Sequence, residues 1–371
     1  MILRLITPQR IFSLDFLRAL AIILVLVCHL ISRVYEKENF LAYYFGTLGV
    51  EIFFVLSGFL IGSIIIKIFN EEKTFKPRQI KKFWIRRWFR TLPNYYLVLL
   101  ISIAIYSIYR GEFLLNNLSN FTYFLFIQNL ITPSLSFFSV SWSLAVEEWF
   151  YLLFPITLFI FSKFIRDKYK TLLFSTGFFI LFVIISKIIV AISFNNLDFS
   201  NFQYLMPLRL DSIAIGIFIA IINYYKSNIL NENRIKFFIF GATLFFGSSL
   251  YYFLFILTNN YGFFAKVFFF DILSISIAFL FPLISTFKKF KNKFLANSII
   301  YLSLISYSVY LIHLIIILVI IQLPLNAFFK ITTATLLILI VSYIQYHFFE
   351  KPMTSLREKF SRSLKNNIKI N

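Results

Sequence analysis

Arg18 and His29 stand eleven residues apart in an otherwise apolar stretch, and Glu51, Glu147 and His313 interrupt three later apolar stretches in the same way. An imidazole titrates close to neutrality, so a histidine so placed can take a proton from a hydroxyl, and a carboxylate can orient the ring and stabilise its charged form. A guanidinium cannot do that work, but its fork matches phosphate. Eleven helical residues turn through about 1100°, within about 20° of three full turns, and rise about 16 Å. Arg18 and His29 therefore share one helix face, the arginine near one end and the histidine far above it.

The elements that hold these groups follow from composition. The 371 residues are 60% hydrophobic and 14% charged, with a mean hydropathy of +0.82, which excludes a water-soluble globule of this size. Apolar runs predict spans at 14–34, 46–67, 92–109, 142–162, 172–194, 209–225, 236–257, 266–286, 298–321 and 328–349. The fold class is an all-α polytopic transmembrane bundle of about ten spans. The apolar stretch 118–132 is too short for a crossing and is expected as a re-entrant or surface helix. The first span follows basic residues as a signal peptide would, but it carries Asp15, Arg18 and His29 and lacks a small-residue cleavage site, so it reads as a mature helix.

A net charge of +20 would suggest nucleic acid in a soluble protein; here the cations fall in alternate loops, so no nucleic-acid partner is expected. Basic clusters occur at 71–90, 163–170, 288–293 and 351–368, and loops 35–45, 110–141, 195–208 and 258–265 are poor in them. The positive-inside rule then puts both termini in the cytoplasm of a multi-pass protein of the cell (inner or cytoplasmic) membrane and makes the span count even. The membrane domain is placed at 8–352, with a basic cytoplasmic tail at 353–371 and no appended soluble domain. A single cysteine, Cys28, excludes an internal disulfide and a multi-cysteine metal site; no metal is expected, and there is no repeat of fixed period.

An ionisable group within a span costs several kcal/mol unless it meets water or a partner, so each is a functional candidate. Counting rise from the span boundaries puts His29, Glu51, Glu147 and His313 in one layer, in the outer third of a core about 30 Å thick. Two other readings stay open: polar pairs that fix helix packing, and a proton relay. In 83–93, Phe-Trp-Ile-Arg-Arg-Trp-Phe-Arg-Thr-Leu-Pro, arginines alternate with aromatics just before a span. This fits an interfacial anchor, and it also fits a phosphate clamp, since Arg87 and Arg90 are one helical turn apart.

These motifs together resemble the acyltransferase 3 family over about Ser13 to Pro352. Leu14-Asp15-Phe16-Leu17-Arg18, with His29 ten intervening residues beyond, is similar to the family's first-span arginine-to-histidine motif. Gly49 to Leu60 resembles the second-span signature, Arg86 to Pro93 the arginine motif, and Trp142 to Tyr151 the tryptophan-to-tyrosine segment, with Glu147 rather than Glu148 as the matched acid. Arg209-Leu210-Asp211 followed by Gly216, then Ser306 to His313, then Glu350-Lys351-Pro352, complete the order. Glu51 stands where the family more often has aspartate, and Ile315 where proline is common.

The resemblance implies an O-acyltransferase that uses cytoplasmic acyl-CoA, most often acetyl-CoA, as co-substrate without a bound cofactor. The acceptor would be a hydroxyl of a cell-surface glycan or lipid-linked sugar. On this reading Arg18, Arg87 and Arg90 hold the donor phosphates, His29 is the general base, and Glu147 or Glu51 orients it. His313, Tyr307, Ser57, Trp142, Arg209 and Asp211 bind the acceptor or support the site. Transfer is expected to be direct, since no serine has a neighbouring base legible in the sequence. The rival class is a proton-coupled transporter or flippase of an anionic or sugar-linked substrate, in which the same buried groups carry protons.

Overall fold

In lipid a backbone has no partner but itself, so apolar runs of this length close into helices. The computed structural model describes residues 11–35, 40–72, 75–132, 136–194 and 197–356, and among these there is no strand. The helices are α1 (Phe12–Val34), α2 (Phe40–Asn70), α3 (Pro77–Arg110), α4 (Ser141–Phe164), α5 (Lys168–Ser193), the short α6 (Phe199–Tyr204), α7 (Leu210–Tyr225), the short α8 (Ser227–Glu232), α9 (Arg234–Tyr251), α10 (Phe263–Ile284), α11 (Lys293–Ile321) and α12 (Ala327–Gln345). Ten segments are long and apolar enough to cross a membrane, matching the ten predicted spans in number and order. Residues 8–10 and most of the expected tail, 357–371, lie outside the described residues.

The largest boundary difference is at α3, which begins fifteen residues before the predicted span 92–109. The basic and aromatic residues before Thr91 are acceptable helix formers, so the helix runs on past the apolar core and carries Arg87 and Arg90 on a rigid element. At its start, hydrogen bonds from Lys76 and Arg78 hold the Glu72 carboxyl below its ordinary pKa. Lys82 meets Glu71 at 2.6 Å.

Segment 118–132 is not among the ten spans. Leu118–Leu125 is a 3₁₀ helix followed by turns, with Phe126 in the left-handed region at φ 57°. Its backbone is satisfied by donors from the bundle: Tyr95 donates to the Tyr123 carbonyl (2.8 Å), Tyr96 to that of Phe124 (2.9 Å) and Trp149 to that of Phe126 (3.0 Å). Irregular backbone is tolerated beside a bilayer where protein groups satisfy it in this way.

Helix α2 is central, packed along α1 and α7; α10 joins α9 to α7, α2 and α5; α11 lies against α1 and α12. Exposed Phe174, Phe178, Leu181, Phe182 and Ile185 mark one apolar face of α5 turned to lipid. The α2–α7 crossing depends on Gly58 and Gly216. A Cβ on Gly58 would overlap the Ile213 carbonyl, and one on Gly216 the Val55 carbonyl. Small residues at such a crossing let two backbones touch. Gly58→Ala should therefore destabilise the bundle by about 1–3 kcal/mol through overpacking, read as a lower unfolding temperature in detergent. Gly177→Ala, on α5 with open space at its Cβ, should leave that temperature unchanged or raise it.

Candidate active site

Two cavities lie end to end along α2. The first, of about 100 Å³, is lined by Arg18, Ser57, Arg87, Arg90, Glu147, Ser306 and Tyr307 among others. The second, of about 430 Å³, is lined by His29, Arg33, Tyr43, Trp142, Gln203, Tyr204 and Tyr252 among others. Val50 and Tyr310 line both.

In the first cavity the polar groups are prearranged. Tyr151 donates to Glu147 Oε2 (2.7 Å), Arg87 Nη2 donates to the Tyr151 hydroxyl (2.5 Å), and that hydroxyl lies 2.6 Å from Ser57 Oγ. The Arg87 guanidinium also lies over the Tyr151 ring at 4.3 Å and 3.9 Å from Glu147. These contacts fix its plane, while its buried Nε makes no hydrogen bond among the described residues. Arg90, on the next turn of α3, makes no hydrogen bond or ion pair among the described residues. Arg18 donates to Ser303 Oγ (3.0 Å), and Ser303 donates to Asp15 (2.7 Å), so serine and carboxylate steady the third arginine. Three guanidiniums around one small cavity, two of them with donor capacity to spare, make a site for a polyanion such as phosphate or diphosphate. Tyr307 donates to the Thr91 carbonyl at 2.9 Å and tethers α11 to α3 beside them.

On the wall of the second cavity His29 meets His313, which is fully buried and lines neither cavity. His313 Nδ1 lies 2.8 Å from the Tyr310 carbonyl oxygen and 3.1 Å from that of Val309. His29 Nδ1 lies 3.0 Å from the Val25 carbonyl oxygen and 3.1 Å from His313 Nε2. Carbonyl oxygens only accept, so these partners assign the proton to Nδ1 in both rings. The His29 Nδ1–H then donates to Val25 and to the lone pair of His313 Nε2. The lone pair on His29 Nε2 is left with no protein partner among the described residues, beside the cavity. A histidine oriented through one nitrogen and open at the other is the geometry of a general base.

A family model described as an acyltransferase domain matches residues 11–348. The chain belongs to the acyltransferase 3 family. It is 36% identical over 168 residues to the peptidoglycan O-acetyltransferase OatA of Listeria monocytogenes, covering 42% of this chain and 25% of that protein. It is 27% identical over 227 residues to the O-acetyltransferase OatA of Staphylococcus aureus, covering 58% of this chain and 35% of that protein. The matched part thus spans a quarter to about a third of the length of these relatives. No solved structure matches the chain significantly.

Within this acyltransferase 3 chain, depth and direction part company. Of the four titratable groups expected in one layer, the structure joins only His29 and His313. Glu147 turns into the arginine cavity, and Glu51 pairs with Arg209 and accepts from Ser274 (2.6 Å). Neither carboxylate is hydrogen-bonded to His29; His313 occupies the orienting position that the sequence reading gave to an acid. The reason is azimuthal: at its depth Glu51 faces α7 and α10, not α1. Arg209 also packs over the Phe270 ring at 3.8 Å. Asp211 pairs with Lys187, which meets Asp271 as well at 2.8 Å. Arg209 and Asp211 therefore belong to a buried ionic cluster and line neither cavity. Trp142 lines the second cavity, edge-on to Phe54 (5.9 Å) and Tyr204 (5.1 Å).

Sequence reasoning assigned no role to Tyr151, Tyr310, Gln203, Lys187 or Asp271. Lys187 and Asp271 carried a usable signal, a charge in the middle of a span. Neutral tyrosines and a glutamine between spans carried none.

Proposed function

We propose that this protein is an integral membrane O-acyltransferase that moves an acyl group, acetyl first among them, from cytoplasmic acyl-CoA to a hydroxyl of a cell-surface glycan or lipid-linked sugar. The observation that carries this reading is the pair of neighbouring cavities, an arginine-lined one and a histidine-bearing one, that share Val50 and Tyr310 in their walls. The basic α2–α3 connection supports a cytoplasmic first cavity under the positive-inside rule, with both termini on that side and the protein in the cell's inner or cytoplasmic membrane. Arg18, Arg87 and Arg90 receive the donor's phosphates there. The second cavity suits a sugar: tyrosines and Trp142 offer ring faces for its apolar faces, and Gln203, Thr47 and Ser32 offer hydrogen bonds to its hydroxyls. The segment before α4 supplies Ser139 and Val140, and the short α6 supplies Phe199, Gln203 and Tyr204 to this wall, so acceptor choice resides in these connections between spans.

In the reaction, His29 Nε2 removes the proton from the acceptor hydroxyl as its oxygen attacks the thioester carbonyl carbon. The C–O bond forms and the C–S bond breaks. The sulfur leaves as thiolate and recovers the proton from the imidazolium, giving the ester and free CoA. His313 and the Val25 carbonyl hold Nδ1–H throughout, so the ring neither flips nor loses its tautomer while it carries the charge.

The test is to incubate membranes containing the protein with isotope-labelled acetyl-CoA and glycan acceptors, and to seek the labelled ester by mass spectrometry. Peptidoglycan strands come first because the Listeria relative is named for that activity. A labelled ester on a sugar hydroxyl is the expected result; no ester from any acyl-CoA, with vesicle uptake of a sugar-linked anion instead, would favour the transporter class. Arg90→Ala should raise KM for acetyl-CoA about 10–100-fold, the worth of one charge-assisted hydrogen bond at about 1.5–3 kcal/mol. Its effect on kcat at saturating donor should be much smaller.

A further inference from the structure

Resting on the acyl-transfer reading above, we infer that Val50 and Tyr310 form the partition that limits the length of acyl chain this protein transfers. They are the residues common to the walls of both cavities. Both are buried, Val50 at 8% exposure and Tyr310 at 7%.

Tyr310 is fixed at both ends. Its hydroxyl donates to the Val140 carbonyl (3.1 Å) and lies 2.6 Å from Ser143 Oγ, which fastens the ring of an α11 residue to the start of α4. Its ring packs edge-on against Phe53 with centroids 6.1 Å apart, and lies 5.9 Å from the His313 ring. Swinging it aside would forfeit two hydrogen bonds made in a buried setting, where unpaired polar groups are costly. Val50, facing it from α2, is β-branched and stiff at χ1 in a helix. The partition is therefore a rigid aromatic plate opposite a short aliphatic stub.

The chemistry makes this partition selective. Transfer needs the thioester carbonyl carbon within reach of an oxygen beside His29, while the phosphates stay with the arginines of the first cavity. The carbonyl must therefore sit at the partition, and the alkyl tail must lie against Val50, Phe53 and Tyr310. The first cavity holds only about 100 Å³, and the three arginines and Glu147 occupy part of its wall, so the space left for an alkyl tail beside the partition is short. A methyl fits beside Val50; each further carbon meets the Tyr310 ring or excludes the acceptor. A hydrophobic pocket distinguishes one methylene by roughly 10–200-fold, so two extra methylenes against an immobile wall should be rejected strongly.

The experiment compares acetyl-CoA with butyryl-CoA as donors to one glycan acceptor, scoring the butyryl-to-acetyl ratio of kcat/KM for wild type, Val50→Ala, Tyr310→Phe and Leu60→Ala. Wild type should strongly prefer acetyl. Val50→Ala should raise the butyryl-to-acetyl ratio at least about tenfold, the lower end of a one-methylene discrimination. Tyr310→Phe keeps the ring but frees it from Ser143 and Val140, and should raise the ratio by a smaller factor. Leu60, on the first cavity's wall but ten residues and about 15 Å along α2 from Val50, should leave the ratio unmoved. Acetyl transfer with an unmoved ratio in both Val50→Ala and Tyr310→Phe would overturn this inference alone, as would wild type that uses butyryl-CoA as well as acetyl-CoA. No transfer from any acyl-CoA by wild type would overturn the acyl-transfer reading and this inference with it.

Discussion

His29→Ala will yield a protein that inserts and folds like wild type and transfers acyl groups about 10²–10⁴-fold more slowly, the usual worth of a positioned general base. Folding should survive because His29 donates one bond to its own helix, at Val25, and shares one with His313, and both are dispensable to α1 packing. The loss should fall on kcat, since the arginines proposed to receive the donor line the other cavity. His313→Ala removes the acceptor for Nδ1–H but leaves Val25 in place, so its deficit should be smaller than that of His29→Ala. The double variant should be no worse than His29→Ala alone, because an orienting residue has nothing left to orient. Single-turnover kinetics on purified, monodisperse protein measures all three; additive losses in the double variant would show that His313 acts independently, and an active His29→Ala would remove the base from this site.

The second large effect concerns stability. Lys187→Met should cost about 3–5 kcal/mol, because removing one partner from a buried ionic cluster strands the others. Lys187 is fully buried and holds both Asp211 and Asp271, with Arg209 and Glu51 paired alongside. Without the ammonium, two carboxylates from α7 and α10 would face each other in an apolar interior. The expected observation is low yield and a strongly lowered unfolding temperature. Lys187→Met with Asp271→Asn and Asp211→Asn removes the stranded charges and should recover much of the loss. Should Lys187→Met unfold at the wild-type temperature yet lose activity, the cluster would have a part in the chemistry instead of the scaffold.

These two sites show where a sequence speaks and where it stops. Apolar length alone located ten helices, because lipid leaves a backbone no other arrangement, and charge interruptions flagged His29 and His313 before any geometry was known. Rise along a helix gave depth well enough to put the two histidines at one level. It gave no azimuth across helices: Glu51 shares their level but faces Arg209, and Glu147 turns to Arg87 and Tyr151. The direction a side chain takes is settled by which neighbour each face meets, and in an all-round apolar helix such as α2 no stripe in the sequence marks those faces. For the same reason Tyr310, fixed by Ser143 and the Val140 carbonyl, was invisible: its neutral hydroxyl breaks no rule of composition.

The loop at 118–132 has a bearing on how the protein can change. Tyr95, Tyr96 and Trp149 grip it by the carbonyls of Tyr123, Phe124 and Phe126, and every residue owns a carbonyl. Its path is thus written largely in α3 and α4, with a few of its own side chains adding to it: the amides of Asn120, Gln128 and Asn129 hold the carbonyls of Leu114, Ser141, Trp142 and Tyr204, and the buried Phe126 ring packs on Tyr95. A lineage can rewrite most of this segment without losing its course, so the surface there is free to diversify over a frame that stays still.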